Sequence, residues 1–302
     1  MTEFIKIGKN IVIKPQGADY SLEAGKVYDL SWDRFNGNYI FTENGDLNLP
    51  AKVYNLKKDE SFKKRVLTYF NSSGNQTTGV MLAGVKGTGK TVLAKVMAKE
   101  SGLPIIVIDS GYPASQLNKF FKGFKTPVCV IFDEIEKKWD TNNMLDFLDG
   151  IEATAKKLVL MTCNKLSLVS EYMQDRCSRV RYIRKYGARD NEELIRSFVE
   201  DNGIKNVDEI TNYITSKMCI LSIDNVLAFI KEVKLMENDN ITLDEIIEDM
   251  NISIFDKPLT KEESSPTTLQ VATHEDCEDC EDCEYEDYCE DEDWDDVMKD
   301  AA

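Results

Sequence analysis

Residues 79–100 read GVMLAGVKGTGKTVLAKVMAKE, and this stretch decides the fold. Its centre, GVKGTGKT at residues 84–91, fits the pattern G-x-x-x-x-G-K-[ST] at every fixed position. The apolar run before it predicts a buried strand, and the spacing of apolar residues after it predicts a helix. A glycine-rich loop between strand and helix exposes backbone N–H groups at the positive end of the helix dipole. The stretch therefore predicts a site for the phosphates of a nucleotide.

Two side chains of this loop have predicted roles of their own. Lys90 is expected to reach the β- and γ-phosphates, and the hydroxyl of Thr91 is expected to bind Mg²⁺. The remaining contacts are expected from the loop backbone. The predicted nucleotide-binding residues are Gly84, Val85, Lys86, Gly87, Thr88, Gly89, Lys90, Thr91 and Val92.

Two later apolar runs end in polar side chains that suit phosphoryl transfer. VCVIFDE at residues 128–134 places two adjacent carboxylates at a strand end, about forty residues after the loop. Neighbouring positions at a strand end point in different directions, so Asp133 suits the metal and Glu134 suits the attacking water. LVLMTCN at residues 158–164 ends in Asn164, which either hydrogen-bonds the water or γ-phosphate or simply closes a strand turn.

The order of predicted elements gives an α/β fold class. Near-continuous apolar strands separated by helices over residues 79–164 predict a parallel sheet covered by helices on both faces. Alternating apolar residues and Asn-Gly turns before it predict β structure, interpreted as a separate docking domain. The predicted organisation is a β docking domain at 1–55, a linker helix and loop at 56–78, an α/β domain at 79–189, a helical domain at 190–255 and a disordered acidic tail at 256–302.

The formal charge of −17 is concentrated at one end of the chain. Sixteen carboxylates and one lysine from Glu275 onward give −15, which leaves −2 for residues 1–274. A nearly neutral body gives no global electrostatic reason to expect nucleic-acid binding, although a local basic patch is compatible with it. No apolar run is long enough to cross a membrane and no secretory signal is evident, so a cytoplasmic location is expected.

Histidine and cysteine usage excludes some chemistry and leaves one region open. His274 is the only histidine, which excludes Ser-His-Asp, Cys-His and multi-histidine metal catalysis. Four cysteines in the body are expected to be buried or spectator thiols, and four lie in the tail. The tail spacing from Cys277 to Cys283 is similar to metal-ligand spacing. A solvated acidic peptide that docks on a basic surface, or occupies a pore of its own assembly, is the preferred interpretation.

The predicted strand–loop–helix–strand stretch GVMLAGVKGTGKTVLAKVMAKESGLPIIVI, at residues 79–108, resembles the AAA ATPases of the AAA+ superfamily. VCVIFDEIEKK resembles their Walker B segment, and LVLMTCN resembles their sensor-1 strand. The resemblance implies a P-loop AAA+ sheet, with the helical domain as its lid. It further implies Mg²⁺-dependent ATP hydrolysis at the subunit interfaces of a homo-oligomeric ring, a hexamer in this family.

The segment EYMQDRCSRV at residues 171–180 matches in spacing the family segment that carries two arginines three positions apart. By that resemblance, Arg176 and Arg179 are arginine fingers that act on ATP held by the neighbouring subunit. A guanidinium on the transferring phosphate stabilises the charge that spreads over its oxygens. The alternative is that both belong to an ordinary basic surface with Arg181, Arg184, Lys185 and Arg189.

The substrate of such a motor is less defined by the sequence than its chemistry. Remodelling or unfolding of a protein or protein complex is favoured by the resemblance, the predicted β docking domain and the nearly neutral body. The rival is a clamp-loader or helicase-loader type of nucleic-acid ATPase, because Gln174–Arg179 is similar to the clamp loaders' arginine motif. A third possibility is a nucleotide-gated scaffold. Tyr112 is either a residue that grips a polypeptide in a central pore or a locally packed turn tyrosine.

Overall fold

A nine-stranded sheet organises the larger part of the described chain. In the computed structural model, the residues described are 4–7, 10–13, 21–33, 38–74, 76–108, 114–149, 155–237 and 241–255. The strands are β1 (Phe4–Ile7), β2 (Asn10–Ile13), β3 (Val27–Asp33), β4 (Asn38–Asn44), β5 (Thr78–Gly84), β6 (Ile105–Ile108), β7 (Val128–Phe132), β8 (Lys157–Cys163) and β9 (Tyr182–Tyr186). Their order across the sheet is β1-β2-β4-β3-β6-β7-β8-β5-β9.

Six of these strands run parallel, and the remaining three extend one edge. Strands β3, β6, β7, β8, β5 and β9 pair in parallel with their neighbours, whereas β4, β2 and β1 continue antiparallel from β3. Every residue of β5, β7 and β8 is buried. Strands that are buried on both faces are near-continuous in apolar residues, which is why the sequence shows runs here rather than alternation. The α/β fold class predicted from the sequence is confirmed.

The prediction of a separate β domain at residues 1–55 is wrong for the strands that the structure describes. β3 pairs in parallel with β6, with Val27 opposite Ile105 and Asp29 opposite Val107. The β structure expected in this region is present, but its hydrogen bonds join it to the sheet of the α/β domain. Tyr28 and Phe41 from these strands lie in the same core cluster as Phe132 of β7.

Ten α-helices complete the described chain. They are α1 (Lys57–Ser72), α2 (Lys90–Glu100), α3 (Ala114–Lys122), α4 (Ile135–Lys138), α5 (Leu145–Asp149), α6 (Glu171–Gln174), α7 (Glu192–Asp201), α8 (Val207–Lys217), α9 (Ile223–Leu235) and α10 (Leu243–Glu248). Short 3₁₀ helices lie at Thr141–Met144 and Leu166–Leu168. The segment after α4 is therefore a 3₁₀ turn followed by α5, and residues 150–154 lie outside the described residues.

The chain divides into two compact units. The first takes in Met1–Leu194 and Ser222–Asn225, and the second takes in Ile195–Leu221 and Val226–Ala302. In the second unit, buried apolar side chains from the helices form the interior, and the rings of Tyr213 and Phe229 stack with centroids 5.7 Å apart. The helical character predicted for residues 190–250 agrees with these elements. The predicted tail at 256–302 lies outside the described residues, together with its four cysteines.

The four cysteines of the body differ in exposure. Cys129 and Cys163 are fully buried free thiols, and burial raises the pKa of Cys163 to about 12. Cys219 is half-buried, whereas Cys177 is exposed. A thiol with so high a pKa is almost wholly protonated at neutral pH, so Cys163 is unreactive. Of the four body cysteines, which were expected to be buried or spectator thiols, Cys129 and Cys163 are the buried ones.

Lys157, the first residue of β8, is a buried cation. Its side chain is only 4% exposed, and its Nζ donates to the carbonyl of Phe147 and lies 4.4 Å from the centroid of that ring. No carboxylate among the described residues pairs with it. Burial lowers the pKa of Lys157 from 10.5 to about 8. The folded state therefore disfavours the charged form of this amine.

Replacing Lys157 by Met is expected to stabilise the protein at pH 7 by about 1 to 3 kcal/mol, because the cost of burying the charge is removed. Between pH 8 and 10.5 the unfolded lysine binds a proton that the folded one has lost, so wild-type stability rises with pH. The advantage of the variant should shrink over that range. Urea denaturation at pH 7 and pH 10 measures both effects, with Lys138→Met as an exposed control. A difference that does not change with pH would contradict this account.

Candidate active site

The glycine-rich loop leaves the buried strand β5 and enters helix α2. Gly84, Gly87 and Gly89 have positive φ values of 125°, 73° and 93°. At Gly84, a Cβ atom would lie 2.1 Å from the carbonyl oxygen of Tyr186 in β9, so no other residue fits. The N–H of Val85 donates to that same carbonyl at 3.1 Å. The neighbouring edge strand thus holds the beginning of the loop in place.

Lys90 lies inside the loop that precedes it. Its Nζ donates to the carbonyl oxygens of Gly84 at 2.6 Å and Val85 at 2.7 Å, and its side chain is buried. Burial lowers the pKa of Lys90. The nearby carboxylates oppose this shift, because their negative charge favours the protonated amine. A buried ammonium among carbonyl dipoles and backbone N–H groups is suited to an anionic ligand. The contact of Lys90 with phosphate stays a prediction.

Asp133 joins the loop to the middle of the sheet. Its Oδ1 accepts from the Thr91 hydroxyl at 2.8 Å and from the Thr162 hydroxyl at 2.6 Å. Thr91 is the second residue of α2 and Asp133 follows β7, so the two predicted metal ligands meet although 42 positions separate them. Hydroxyl and carboxylate oxygens are the donors that Mg²⁺ prefers. The residues present therefore fit this ion.

Glu134 is in the left-handed backbone region, the only non-glycine residue there within the part of the chain that the structure describes. Its φ and ψ are 52° and 59°, and its N–H donates to the Thr162 hydroxyl at 2.9 Å. Its Oε1 accepts from Lys137 Nζ and from Asn164 Nδ2, each at 2.9 Å. These two bonds, Lys137 first, hold the pKa of Glu134 below its usual range, so the carboxylate is ionised at neutral pH. Unusual backbone conformations of this kind cluster at functional sites in proteins, so Glu134 is a candidate functional residue.

Asn164 lies at the end of β8, beside the carboxylates of β7. Its side chain donates to Glu134, and its backbone N–H donates to Glu136 Oε1 at 3.0 Å. The second oxygen of Glu136, Oε2, is buried and has no hydrogen-bond partner among the described residues. The structure thus brings Asn164 to the predicted water-activating residue, which favours the site interpretation over a simple strand turn.

Three residues at this site were not predicted from the sequence: Thr162, Glu136 and Lys137. Thr162 could have been found, because alternate residues of a strand share a face and Asn164 follows it by two. The sequence shows a carboxylate at Glu136, two positions after Glu134, but it does not show whether that side chain points toward the site. Lys137 is hydrogen-bonded to Glu134 because the short helix α4 begins immediately after Glu134, which brings residues three positions apart together.

The two predicted finger arginines have different surroundings. Arg179 forms a bidentate pair with Asp149, with Nε–Oδ1 and Nη2–Oδ2 distances of 2.7 Å and 3.0 Å, and Nη1 donates to the Tyr172 carbonyl. Arg176 is exposed, and its side chain makes no ion pair with any described residue. No hydrogen bond among those residues joins either arginine to the loop or to Asp133 or Glu134. Within one chain, therefore, neither arginine completes the site.

The first residues of α9 contact the loop from another direction. The N–H of Ile223 donates to the Gly87 carbonyl at 2.7 Å. A Cβ atom on Gly87 would lie 2.6 Å from the Cβ of Ser222. This contact belongs to the first compact unit, which includes Ser222–Asn225. Tyr112 lies outside the described residues, so its two interpretations stay predictions.

Some candidate sites are not supported among the described residues. There, no group of three or more His, Cys, Asp or Glu side chains is arranged to hold a metal ion. No described helix has both the length and the apolar character needed to span a membrane. The cysteines of the tail, with their metal-like spacing, lie outside the described residues.

Comparison with known proteins relates the chain to one family. The model of the "ATPase family associated with various cellular activities (AAA)" matches residues 80–185. ATP-dependent zinc metalloprotease FtsH 1 of Bdellovibrio bacteriovorus is 30% identical over 136 residues, covering 36% of this chain and 21% of that protein. ATP-dependent zinc metalloprotease FTSH 2, chloroplastic, of Oryza sativa subsp. japonica is 31% identical over 117 residues, covering 30% and 17%. The chain thus spans about a fifth of the length of these curated relatives.

Among solved structures, the RuvB Holliday junction branch migration motor of Thermotoga maritima matches with a TM-score of 0.44. The two are 16% identical, and the match covers 64% of this chain and 68% of that chain. Likeness at this level adds no argument about the site. The family match spans the strands that carry the loop, Asp133, Glu134 and Asn164. Residues 80–185 of this chain are therefore similar to the ATPase domain of the AAA family.

Proposed function

We propose that this chain binds ATP together with Mg²⁺ and hydrolyses it to ADP and phosphate. The observation that carries the proposal is the pair of contacts at the ends of adjacent strands. Thr91 is hydrogen-bonded to Asp133, and Asn164 is hydrogen-bonded to Glu134. Thr162 links the two pairs, because it donates to Asp133 and accepts from the N–H of Glu134, so the end of the phosphate loop, the proposed metal ligand and the proposed base form one network.

Each side chain of this network has a proposed task. Lys90 would transfer its hydrogen bonds from the loop carbonyls to phosphate oxygens when nucleotide enters. Thr91 and Asp133 would hold Mg²⁺, which supplies positive charge to the β- and γ-phosphate oxygens. Glu134 would accept a proton from the attacking water, and Asn164 would orient that water or contact the γ-phosphate.

We propose further that the site is completed by a second copy of the chain in a homo-oligomeric ring, hexameric by family resemblance. Arg176 is exposed and without an ion-pair partner among the described residues, so its guanidinium is available to a neighbouring subunit. Arg179 is occupied by Asp149 and Tyr172 within its own chain. It would have to leave Asp149 in order to reach a phosphate, or else it supports the turn that carries Arg176. Arg176 is thus the stronger of the two predicted fingers.

For the work that hydrolysis drives, we propose remodelling or unfolding of a protein or protein complex. The AAA domain and the nearly neutral charge of residues 1–274 support this substrate class. The N-terminal strands, which the sequence suggested as a separate docking domain, are part of the central sheet. They therefore add no support to protein remodelling. The nucleic-acid loader and the nucleotide-gated scaffold, with an acidic tail that recruits a basic partner, remain the alternatives.

Capture of bound partners distinguishes these three classes. Glu134→Gln protein, held with ATP, serves as bait in lysate from its source, and Lys90→Ala protein that cannot retain ATP serves as the matched control. A discrete protein recovered only with the first variant is the expected result. Recovery that is abolished by nuclease, or that falls steeply with moderate salt, would contradict protein remodelling and favour the nucleic-acid loader. No ATP-dependent partner at all would favour the scaffold.

A further inference from the structure

The two oxygens of the Glu134 carboxylate have different surroundings. Oε1 accepts two hydrogen bonds, from Asn164 Nδ2 and Lys137 Nζ, each at 2.9 Å. Oε2 accepts none from the part of the chain that the structure describes. When one carboxylate oxygen accepts two hydrogen bonds and the other accepts none, only the second oxygen is available to a further donor.

The backbone of Glu134 is fixed separately from its carboxylate. The left-handed conformation and the N–H bond to Thr162 hold the main chain, which sets where the side chain begins. The side chain is one-third exposed, with 33% of its surface accessible. The terminal torsion of a glutamate is broad and roughly two-fold, so it does not by itself select an oxygen. The orientation of the carboxylate therefore depends on Asn164 and Lys137.

We propose that Lys137 is a positioning residue for hydrolysis, which holds Oε1 of Glu134 with Asn164 so that Oε2 faces the attacking water. This inference rests on the proposed function. Lys137 touches neither ATP nor water in this role and acts only through the carboxylate. Asn164 donates from the end of β8 and Lys137 from helix α4, so the two bonds hold Oε1 from two separate elements.

The step that this orientation serves can be written with its atoms balanced. The water oxygen forms a bond to the γ-phosphorus, while the bond from that phosphorus to the β–γ bridging oxygen breaks. ADP leaves with the electron pair of the broken bond. The proton of the water passes to Oε2 of Glu134, which returns it to solvent after phosphate departs. Only the proton transfer depends on which carboxylate oxygen faces the water.

Lys137→Met removes the charge and the donor but keeps the length and apolar stem of the side chain. We expect kcat to fall about tenfold, because a misoriented base lowers the fraction of productive encounters with water. KM and the dissociation constant for ATP, measured by equilibrium binding, should stay within about twofold, since Lys137 does not touch the nucleotide. Lys137→Arg, which keeps a charged donor at the same place, should restore most of kcat. Lys138→Met is the matched control, because Lys138 is the neighbouring exposed lysine of the same helix.

The outcomes separate this inference from the function on which it rests. Equal kcat for Lys137→Met and Lys138→Met, in a protein that Glu134→Gln inactivates, overturns the role of Lys137 and leaves ATP hydrolysis intact. Failure of Lys137→Arg to recover activity also overturns it. A wild-type protein that releases no phosphate overturns both. A loss of ATP affinity in Lys137→Met equal to the loss in kcat would assign the lysine to nucleotide binding and overturn the positioning role.

Discussion

Replacing Glu134 by Gln is expected to leave ATP binding within about threefold of wild type and to reduce turnover by roughly 10²- to 10⁴-fold. The amide has the shape of the carboxylate and can still accept from Asn164 and Lys137, but it is too weakly basic to take the proton of water. Equilibrium binding of ATP and steady-state phosphate release measure the two quantities separately. Near-normal turnover would remove Glu134 from the proposed mechanism.

The same variant tests whether Arg176 acts on a neighbouring site. Arg176→Ala subunits retain Glu134, and Glu134→Gln subunits retain Arg176. If the interface is head-to-tail, a random mixture restores roughly a quarter of the sites, because each complete site needs one subunit of each kind in one order. Activity of the mixture should therefore exceed that of either variant alone. A mixture no more active than its components would mean that the arginine acts within its own chain or has no catalytic part.

Gly79→Ala is expected to have a large effect on folding. A Cβ atom at this position would lie 2.0 Å from the backbone oxygen of Arg179 and 3.2 Å from the Cα of Val180. Both contacts are with main chain, which cannot rotate away as a side chain could. The N–H of Arg181 also donates to the Gly79 carbonyl at 2.9 Å, so the two segments are held at this distance. The methyl group must therefore force β5 and the segment before β9 apart.

A clash of this kind in a buried strand should lower the free energy of unfolding by about 3 kcal/mol or more. For a unit of this size, that change lowers the melting temperature by roughly 6 to 12 °C. Gly187→Ala is the matched control, because a Cβ atom there meets nothing within 4 Å. Equal melting temperatures for the two variants would show that the segments separate without cost. The turn displaced by the clash is the one that carries Arg176 and Arg179.

The parts of the site that follow from local sequence were predictable. The phosphate loop requires glycines at fixed positions between a strand and a helix, and both flanking elements are visible as apolar patterns. Asp133, Glu134 and Asn164 each end a buried apolar run, and the carboxyl ends of parallel strands lie along one edge of a sheet. The sequence alone therefore places these residues together.

The N-terminal strands show where such reasoning fails. Alternating apolar residues indicate a strand with one buried face, but they do not identify the strand with which it pairs. The parallel contact between β3 and β6 joins residues 78 positions apart, and no local signal marks it. Once β3 is paired there, β4 and β2 follow as antiparallel neighbours, and the expected separate domain becomes an extension of the sheet.

The electrostatic details of the site were equally hidden. The left-handed conformation of Glu134 follows from the meeting of β7, β8 and α4, so it cannot be read from FDE alone. The pairing of Arg179 with Asp149 joins the turn before β9 to the end of α5, and their proximity depends on the whole sheet. Spacing in the sequence therefore suggested two equivalent fingers, whereas packing makes one of them a partner of Asp149.

Phosphate release from ATP by the purified wild-type chain, measured with Mg²⁺ and again with the metal chelated, tests the central claim most directly. Lys90→Ala protein, purified in the same way, sets the background. The account predicts release that requires Mg²⁺ and exceeds that background by a wide margin. Tight binding of ATP without release above the Lys90→Ala background would contradict it, and the chain would then be a nucleotide-gated binding protein.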